Sequence, residues 1–212
     1  MPCNISDFLI YLIADAAYAK LRSLAHIVDE AIRGGVTAVQ YRDKTATADV
    51  RTSIARELRA VTERHGIPLI INDHPETAVA VQADGVHVGQ GDISAMLVRR
   101  IVGDQMVVGV TARTREQMAE ATRAGADYVG FGPVFPTRTK KNPAPVAGLD
   151  GLRSVADEVD IPIIAIGGIT AETAARVIEA GASGVAIAAA IMDNGNPREA
   201  AARIRASLST RN

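Results

Sequence analysis

Cysteine is all but missing from this chain. Cys3 stands alone among 212 residues, so an intrachain disulfide and a cysteine-built metal site are both excluded, and the usage fits a reducing compartment. An excess of charge of one sign is missing too. Lys plus Arg number 23 against 24 Asp plus Glu, a formal net charge of −1. No global field therefore draws in nucleic acid or an anionic membrane, and affinity for anions has to come from local groups. No apolar run approaches the roughly 20 residues that span a bilayer. The opening MPCNISDFLIYLIAD lacks a basic n-region and reads as a first strand, not a signal peptide, so a cytoplasmic location is expected. No Gly-x-Gly-x-x-Gly turn follows that strand, which argues against a dinucleotide site there. No Ser-His-Asp or Cys-His arrangement stands out, which argues against a nucleophilic hydrolase. With no linker, low-complexity tract or charge block, residues 1–212 read as a single domain.

What is there is a regular alternation. Short runs rich in Val and Ile occupy 8–14, 36–42, 67–72, 85–89, 106–110, 128–132, 161–166 and 184–188. They lack strict period-two alternation, as strands covered on both faces do. Longer amphipathic stretches lie between them. LRSLAHIVDEAIRGG and TADVRTSIARELRAVTERHG end in glycine, as capped helices do. TREQMAEATRAGA and TAETAARVIEAGA each open on a threonine N-cap and close on Ala-Gly-Ala. Repeated β-α units imply parallel strands and right-handed crossovers. Eight of them in this length predict an α/β fold, a (β/α)8 TIM barrel, with an open doubly wound sheet as the alternative. The stretch from Pro133 to Gly148, with its prolines and basic cluster, reads as a functional loop.

In such a barrel the chemistry sits just after each strand. Those positions hold Gln40, Tyr41, Arg42, Asp43 and Lys44 after strand 2, Asn72 and Asp73 after strand 3, and His87 and Asp92 at strand 4. Thr111 follows strand 5, and Thr137, Arg138, Thr139, Lys140 and Lys141 follow strand 6. Gly167 and Gly168 follow strand 7, and Ala188 and Ala189 follow strand 8. Gly167-Gly168-Ile169-Thr170 leads into a helical pattern, where free N–H groups hold a phosphate or where the glycines merely permit a tight turn. Asp73 and Asp92, at the ends of adjacent strands, suit one Mg²⁺ completed by phosphate oxygens and water, although either alone would serve as a helix cap. His87 is a ligand contact or a satisfied core histidine. Arg42, Lys44 and Lys140 face the same mouth and form a second anion site. Two anion sites and a metal suggest two phosphorylated small-molecule substrates, one a diphosphate whose departure these cations stabilise.

The motifs resemble those of the thiamine-phosphate synthase family, also called thiamine-phosphate pyrophosphorylase. The resemblance runs from IYLIAD (10–15) through QYRDK (40–44), ND (72–73), ADGVHVGQGD (83–92), GVT (109–111), DYVGFGPVFPTRTK (127–140) and IPIIAIGGI (161–169) to GVAIAAAI (184–191). It implies a Mg²⁺-dependent transferase of thiamine biosynthesis. Such an enzyme joins an aminopyrimidine diphosphate to a thiazole phosphate, by dissociative loss of diphosphate, giving thiamine phosphate and pyrophosphate. By this resemblance Gln40 through Lys44, with Asn72, Thr111 and Lys140, hold the pyrimidine diphosphate. Arg42, Lys44, Lys140 and Thr111 carry the catalysis, and Asp73 and Asp92 carry the metal. Thr137, Arg138 and Thr139 contact the thiazole phosphate, with Gly168 and the backbone at Ala188 and Ala189 completing its cup. The family often has Ser where this chain has Thr111 and Ala189. The first keeps a hydroxyl and adds a methyl; the second loses a hydroxyl, worth about 1 kcal/mol for one hydrogen bond. The competing readings are a thiazole tautomerase-like isomerase, which would use a histidine as acid-base and no metal, and a non-catalytic phosphate-binding barrel. The partners are small molecules, with no nucleic acid and no membrane, and a homo-oligomer is compatible with the sequence.

Overall fold

Eight β-branched runs form eight short parallel strands in a computed structural model that describes residues 4–5, 8–19, 22–137 and 144–209. They are β1 (Ile10–Asp15), β2 (Ala38–Arg42), β3 (Leu69–Asn72), β4 (Gly85–Val88), β5 (Val107–Thr111), β6 (Tyr128–Phe131), β7 (Ile163–Ile166) and β8 (Gly184–Ile187). Each pairs with its sequence neighbour, and β8 returns to β1 with Leu12 opposite Ile187, so the barrel is closed. The single-domain (β/α)8 reading of the sequence therefore holds, and the open sheet does not.

Helices α1 (Ala16–Ala19), α2 (Leu24–Arg33), α3 (Ala48–His65), α4 (Pro75–Ala80), α5 (Ala95–Val102), α6 (Arg115–Arg123), α7 (Gly148–Ala156), α8 (Ala174–Glu179), α9 (Ala189–Met192) and α10 (Pro197–Ser209) surround the strands. Their starts follow local side-chain chemistry. The Ser23 hydroxyl accepts the His26 N–H at 3.3 Å, and the Thr114 hydroxyl accepts that of Gln117 at 3.3 Å, each satisfying a donor that the first helical turn leaves unpaired. On α2 the residues Ile27, Val28, Ala31 and Ile32 are buried, a stripe one helical period apart that packs on the barrel. Fully burying an Ile or Val of this stripe contributes about 1.5–3 kcal/mol. Among the described residues no helix is long and apolar enough to cross a membrane.

Two separate apolar layers result. Ile10, Leu12, Val39, Tyr41, Leu69, Ile71 and their counterparts face the helices. Phe8, Tyr11, Ile13, Ala38, Ile70, Val107, Tyr128, Ile164 and Ala186 fill the barrel interior. The N-terminal rim is pinned by two equivalent devices. Asp84, just ahead of β4, accepts the Leu69 N–H at 2.8 Å and the Arg59 guanidinium at 2.7 Å. Asp127, just ahead of β6, accepts the Val108 N–H at 2.7 Å and the Arg99 guanidinium at 2.6 Å.

Candidate active site

Successive strand side chains alternate between the barrel interior and the helix layer. The register of β1 on β2 sets Tyr11, Ile13 and Asp15 opposite Ala38, Gln40 and Arg42. All six point inward, into the packed interior or the cavity above it. The same alternation brings Asn72, His87, Thr111, Tyr128 and Gly130 inward, around an open cavity of about 570 Å³ at the C-terminal rim. Asp73 follows Asn72 and would face the helices on continued alternation. Its backbone instead turns into the left-handed region, with φ of 64°, a conformation Asp tolerates. Its carboxylate thereby lines the cavity.

The rim carries two charged groupings. The Lys44 ammonium pairs with Asp73 Oδ2 and lies 3.6 Å from Asp92 Oδ1. Asp92 Oδ2 accepts the Gly89 N–H at 2.9 Å, which aims the carboxylate across the opening. Burial raises the Asp73 carboxyl above its ordinary range, and the neighbouring Asp92 adds to this against the pull of Lys44. Burial opposes ionisation of Asp92 as well, but the hydrogen bond with Asp73, the Gly89 N–H and Lys44 hold it below that range. Two carboxylates thus converge on one cation. Among the described residues no group of three or more His, Cys, Asp or Glu side chains is placed to hold a metal ion. Zinc sites take three or four such ligands, whereas Mg²⁺ is content with one or two carboxylates plus phosphate oxygens and water, so the donor set fits Mg²⁺. The second grouping is Arg42 with Asp15, an ion pair whose carboxylate side chain is only 5% exposed. Asp15 Oδ1 also accepts the Ala17 N–H at 3.0 Å, which fixes the carboxylate and through it the guanidinium.

The floor is polar and continuous. Gln40 Nε2 donates to Tyr11 Oη at 2.9 Å, and Tyr11 Oη lies 3.0 Å from Tyr128 Oη. Tyr128 Oη lies 3.0 Å from His87 Nδ1, and His87 Nε2 lies 3.0 Å from Thr111 Oγ1. The two tyrosine rings stack edge to face over Phe8, with Phe8–Tyr128 centroids 5.6 Å apart.

On the far side the cavity is lined by Thr137, Gly167, Gly168, Ile169 and the turn Ala188–Ala190. Here the expected geometry needs correction. The helix after strand 7, expected to follow an N-cap at Thr170, begins at Ala174 with Thr173 as its N-cap, and it is six residues long. The Thr170 N–H is taken by the Thr173 hydroxyl at 2.9 Å, which satisfies a donor at the turn ahead of the helix. Gly168 remains at the rim, with φ of 63°. After β8, α9 begins at Ala189, and the first N–H returned to Ala188 O is that of Ile191 at 3.0 Å. The Ala189 and Ala190 N–H groups therefore precede the internal ladder.

Two further residues stand elsewhere than the strand-end reading put them. With Gln40 and Arg42 inward, Tyr41 points to the helix layer, where burial pushes its phenol up to about 12. Asp43 does not line the cavity. Its Oδ1 accepts the Thr45 and Ala46 N–H groups at 2.9 and 3.0 Å, an Asx turn that shapes the loop bearing Lys44. Arg138, Thr139 and Lys140 lie outside the described residues. Conversely, Tyr11, Asp15, Arg113 and Tyr128 line the cavity without having been expected there. The inward placement of Gln40 and Arg42, carried across the β1–β2 register, was the signal that would have found Tyr11 and Asp15.

Comparison with known proteins agrees with this geometry. The family model described as thiamine monophosphate synthase matches residues 10–191. The thiamine-phosphate synthase of Chloroflexus aurantiacus is 45% identical over 206 residues, covering 97% of this chain and 95% of that protein. That of Alkaliphilus oremlandii is 43% identical, covering 95% of this chain and 96% of that protein. The solved thiamine phosphate pyrophosphorylase of Pyrococcus furiosus superposes with a TM-score of 0.88 at 33% identity, covering 97% of this chain and 98% of the other. Neither an isomerase nor a non-catalytic barrel is favoured by relatives of this kind. A closed parallel barrel, a rim with paired carboxylates and cations, and a match over most of the chain agree, and the chain belongs to the thiamine-phosphate synthase family.

Proposed function

We propose that this cavity joins the aminopyrimidine diphosphate to the thiazole phosphate with Asp73 and Asp92 as ligands of one Mg²⁺ and with Arg42, Lys44 and Lys140 on the departing diphosphate. The family's transferase reaction breaks the C–O bond between the pyrimidine methylene and the diphosphate, and the electron pair leaves on the diphosphate oxygen. The thiazole nitrogen lone pair then forms the new C–N bond. No proton has to move, so the protein needs to orient two substrates and neutralise a departing anion. When bound, Mg²⁺ supplies positive charge against the phosphate oxygens. Arg42, held by Asp15, offers a fixed fork of N–H donors for the same anion, and Lys44 adds an adjustable point charge. Gln40, Asn72, His87 and Thr111 meet the pyrimidine. Thr137, Arg138 and Thr139, with the backbone at Gly168, Ala188 and Ala189, meet the thiazole phosphate. Tyr41 packs in the helix layer and Asp43 shapes the loop that bears Lys44, so neither meets the substrate. The reading carries with it small-molecule partners and a cytoplasmic setting.

The observation that carries this proposal is the meeting of the Asp73 and Asp92 carboxylates at the single Lys44 ammonium, in the cavity that Arg42 lines. The test is formation of thiamine phosphate and pyrophosphate from both substrates with Mg²⁺ varied. Asp73→Asn and Asp92→Asn should each raise the Mg²⁺ concentration for half-maximal rate and lower turnover by about 10²-fold, with the circular dichroism spectrum retained. Unchanged Mg²⁺ dependence in both variants would overturn the metal assignment.

A further inference from the structure

The loop between β2 and α3 delivers Lys44 to the cavity, and its backbone is gripped by two charged side chains. Asp43 Oδ1 accepts the Thr45 N–H, the Thr45 hydroxyl and the Ala46 N–H at 2.9, 3.0 and 3.0 Å. Arg51, in α3, donates from Nη2 to the Ala46 carbonyl at 2.7 Å. Ala46 thus has its N–H on a carboxylate and its C=O on a guanidinium. Arg51 stands where a cation is disfavoured twice over. It is 9% exposed, its hydrogen-bond partner is a neutral carbonyl, and its Nε has no partner among the described residues. Burying a charge so weakly compensated is destabilising. Arg51 is also the fourth residue of α3, in the first turn, where the positive end of the helix dipole opposes a cation. What offsets these costs lies in the loop. Burial opposes ionisation of Asp43, but the Thr45 and Ala46 N–H groups, the Thr45 hydroxyl and Arg51 together hold its carboxyl below the ordinary range.

We propose that Arg51 is a positioning residue for Lys44: by holding the Ala46 carbonyl it fixes the loop, and so the aim of the Lys44 ammonium at the departing diphosphate. This rests on the synthase reading and adds to it a residue that is not among those lining the cavity.

Lys44 needs a fixed backbone more than Arg42 does. Its ammonium ends a flexible four-carbon stem, and its side chain is 46% exposed, so packing does little to set its rotamer. Its contacts with Asp73 and, at 3.6 Å, with Asp92 then depend on where the loop places its Cα. Arg42 stands on β2 itself and is paired with Asp15. Thr137 and Gly168 belong to other loops. A loosened β2–α3 loop therefore weakens the hold on the diphosphate and spares the thiazole phosphate.

The experiment is a double-mutant cycle. Arg51→Met keeps a buried stem and removes the guanidinium, and it is made both in the parent protein and in Lys44→Ala. Kinetics are recorded with each substrate varied in turn, alongside calorimetric binding of inorganic pyrophosphate with Mg²⁺ and thermal melts. In the parent background kcat/KM for the pyrimidine diphosphate should fall about tenfold or more, and pyrophosphate affinity should fall with it. In the Lys44→Ala background the same substitution should change each by less than about twofold. The KM for the thiazole phosphate should keep its parental value. Arg51→Lys, which retains a cation and a donor for Ala46, should recover most of the loss. Asp43→Ala, which releases the other grip on the loop, keeps the test open should Arg51→Met fold poorly, and its loss too should vanish without Lys44. Equal losses in the two backgrounds, or a lowered Tm with parental kinetics and pyrophosphate affinity, would overturn the proposal while leaving the synthase reading intact. A parent protein that binds pyrophosphate but forms no thiamine phosphate would fail the synthase reading, and the pyrophosphate cycle still decides the role of Arg51. A parent protein that binds no pyrophosphate would defeat both.

Discussion

Substitution of Asp15 by Asn probes whether Arg42 belongs to the diphosphate site. The two side chains are nearly the same size, and Asn keeps an oxygen for the Ala17 N–H that Asp15 Oδ1 accepts at 3.0 Å. What is lost is the charge that holds the guanidinium. Asp15 is 5% exposed in its side chain and Arg42 is 22% exposed, because the latter opens onto the cavity. Removing one partner of a fully buried pair costs about 3–5 kcal/mol, since it strands the other charge. Arg42 reaches cavity water, so the expected loss is smaller, about 1.5–3 kcal/mol. In a chain of this length that corresponds to a fall in Tm of about 4–10 °C. The kinetic effect should be larger in proportion. A guanidinium that drifts by roughly 1 Å loses its aim at a bound phosphate, which costs about 10²-fold in rate. Thermal melts by circular dichroism and pyrophosphate release at limiting pyrimidine diphosphate measure the two effects separately. A variant with lowered Tm and parental kcat/KM would mean that Asp15 is structural and Arg42 is not engaged with the substrate. A variant unchanged in both would refute the account of the ion pair altogether.

Two further predictions follow from geometry already described. Gly168→Ala would place a Cβ 2.4 Å from Pro136 O at a φ of 63°, so the loop carrying Thr137 has to move. The KM for the thiazole phosphate should rise about tenfold, with about 1–3 kcal/mol lost in stability, and an unchanged KM would remove Gly168 from the phosphate cup. Asp29 is held at about 2, chiefly by the hydrogen bond from His65 and then by Arg33. A carboxyl depressed in the folded state contributes stability that is present above its ordinary value of 3.8 and lost as pH falls toward about 2. Because Arg33 is 48% exposed and the pair is screened by solvent, the contribution is about 1 kcal/mol. Asp29→Asn should be less stable at neutral pH and should show a flatter acid limb in Tm against pH. Parallel curves for the two proteins would disprove the assignment.

The barrel was legible because strand and helix patterns alternate with little ambiguity, and every strand appears within two residues of where the apolar runs put it. The site was legible as a rim and less so as individual side chains. Strands buried on both faces hide their phase, so QYRDK reads as five adjacent candidates. The register then divides it into Gln40 and Arg42 inward and Tyr41 outward, with Asp43 turned back on its own loop. Asp73 escapes that alternation through a left-handed backbone, which Asp tolerates but which no local pattern marks. Tyr11 and Tyr128 look like ordinary core aromatics in sequence. Their hydroxyls matter only because β1 and β6 face each other across the closed barrel, a relation no local pattern contains. The helix expected after an N-cap at Thr170 starts one turn later, at Ala174 with Thr173 as its N-cap.

The aspartates ahead of β4 and β6 have a consequence of their own. Asp84 and Asp127 each tie a strand start to a helix arginine at the end of the barrel opposite the cavity. Endurance and reactivity are thereby allotted to opposite poles of the same strands. Mutational drift at the chemical pole can retune which ring or phosphate is accepted while the anchored pole keeps the cylinder shut, so selection is free to act on one without first compensating the other.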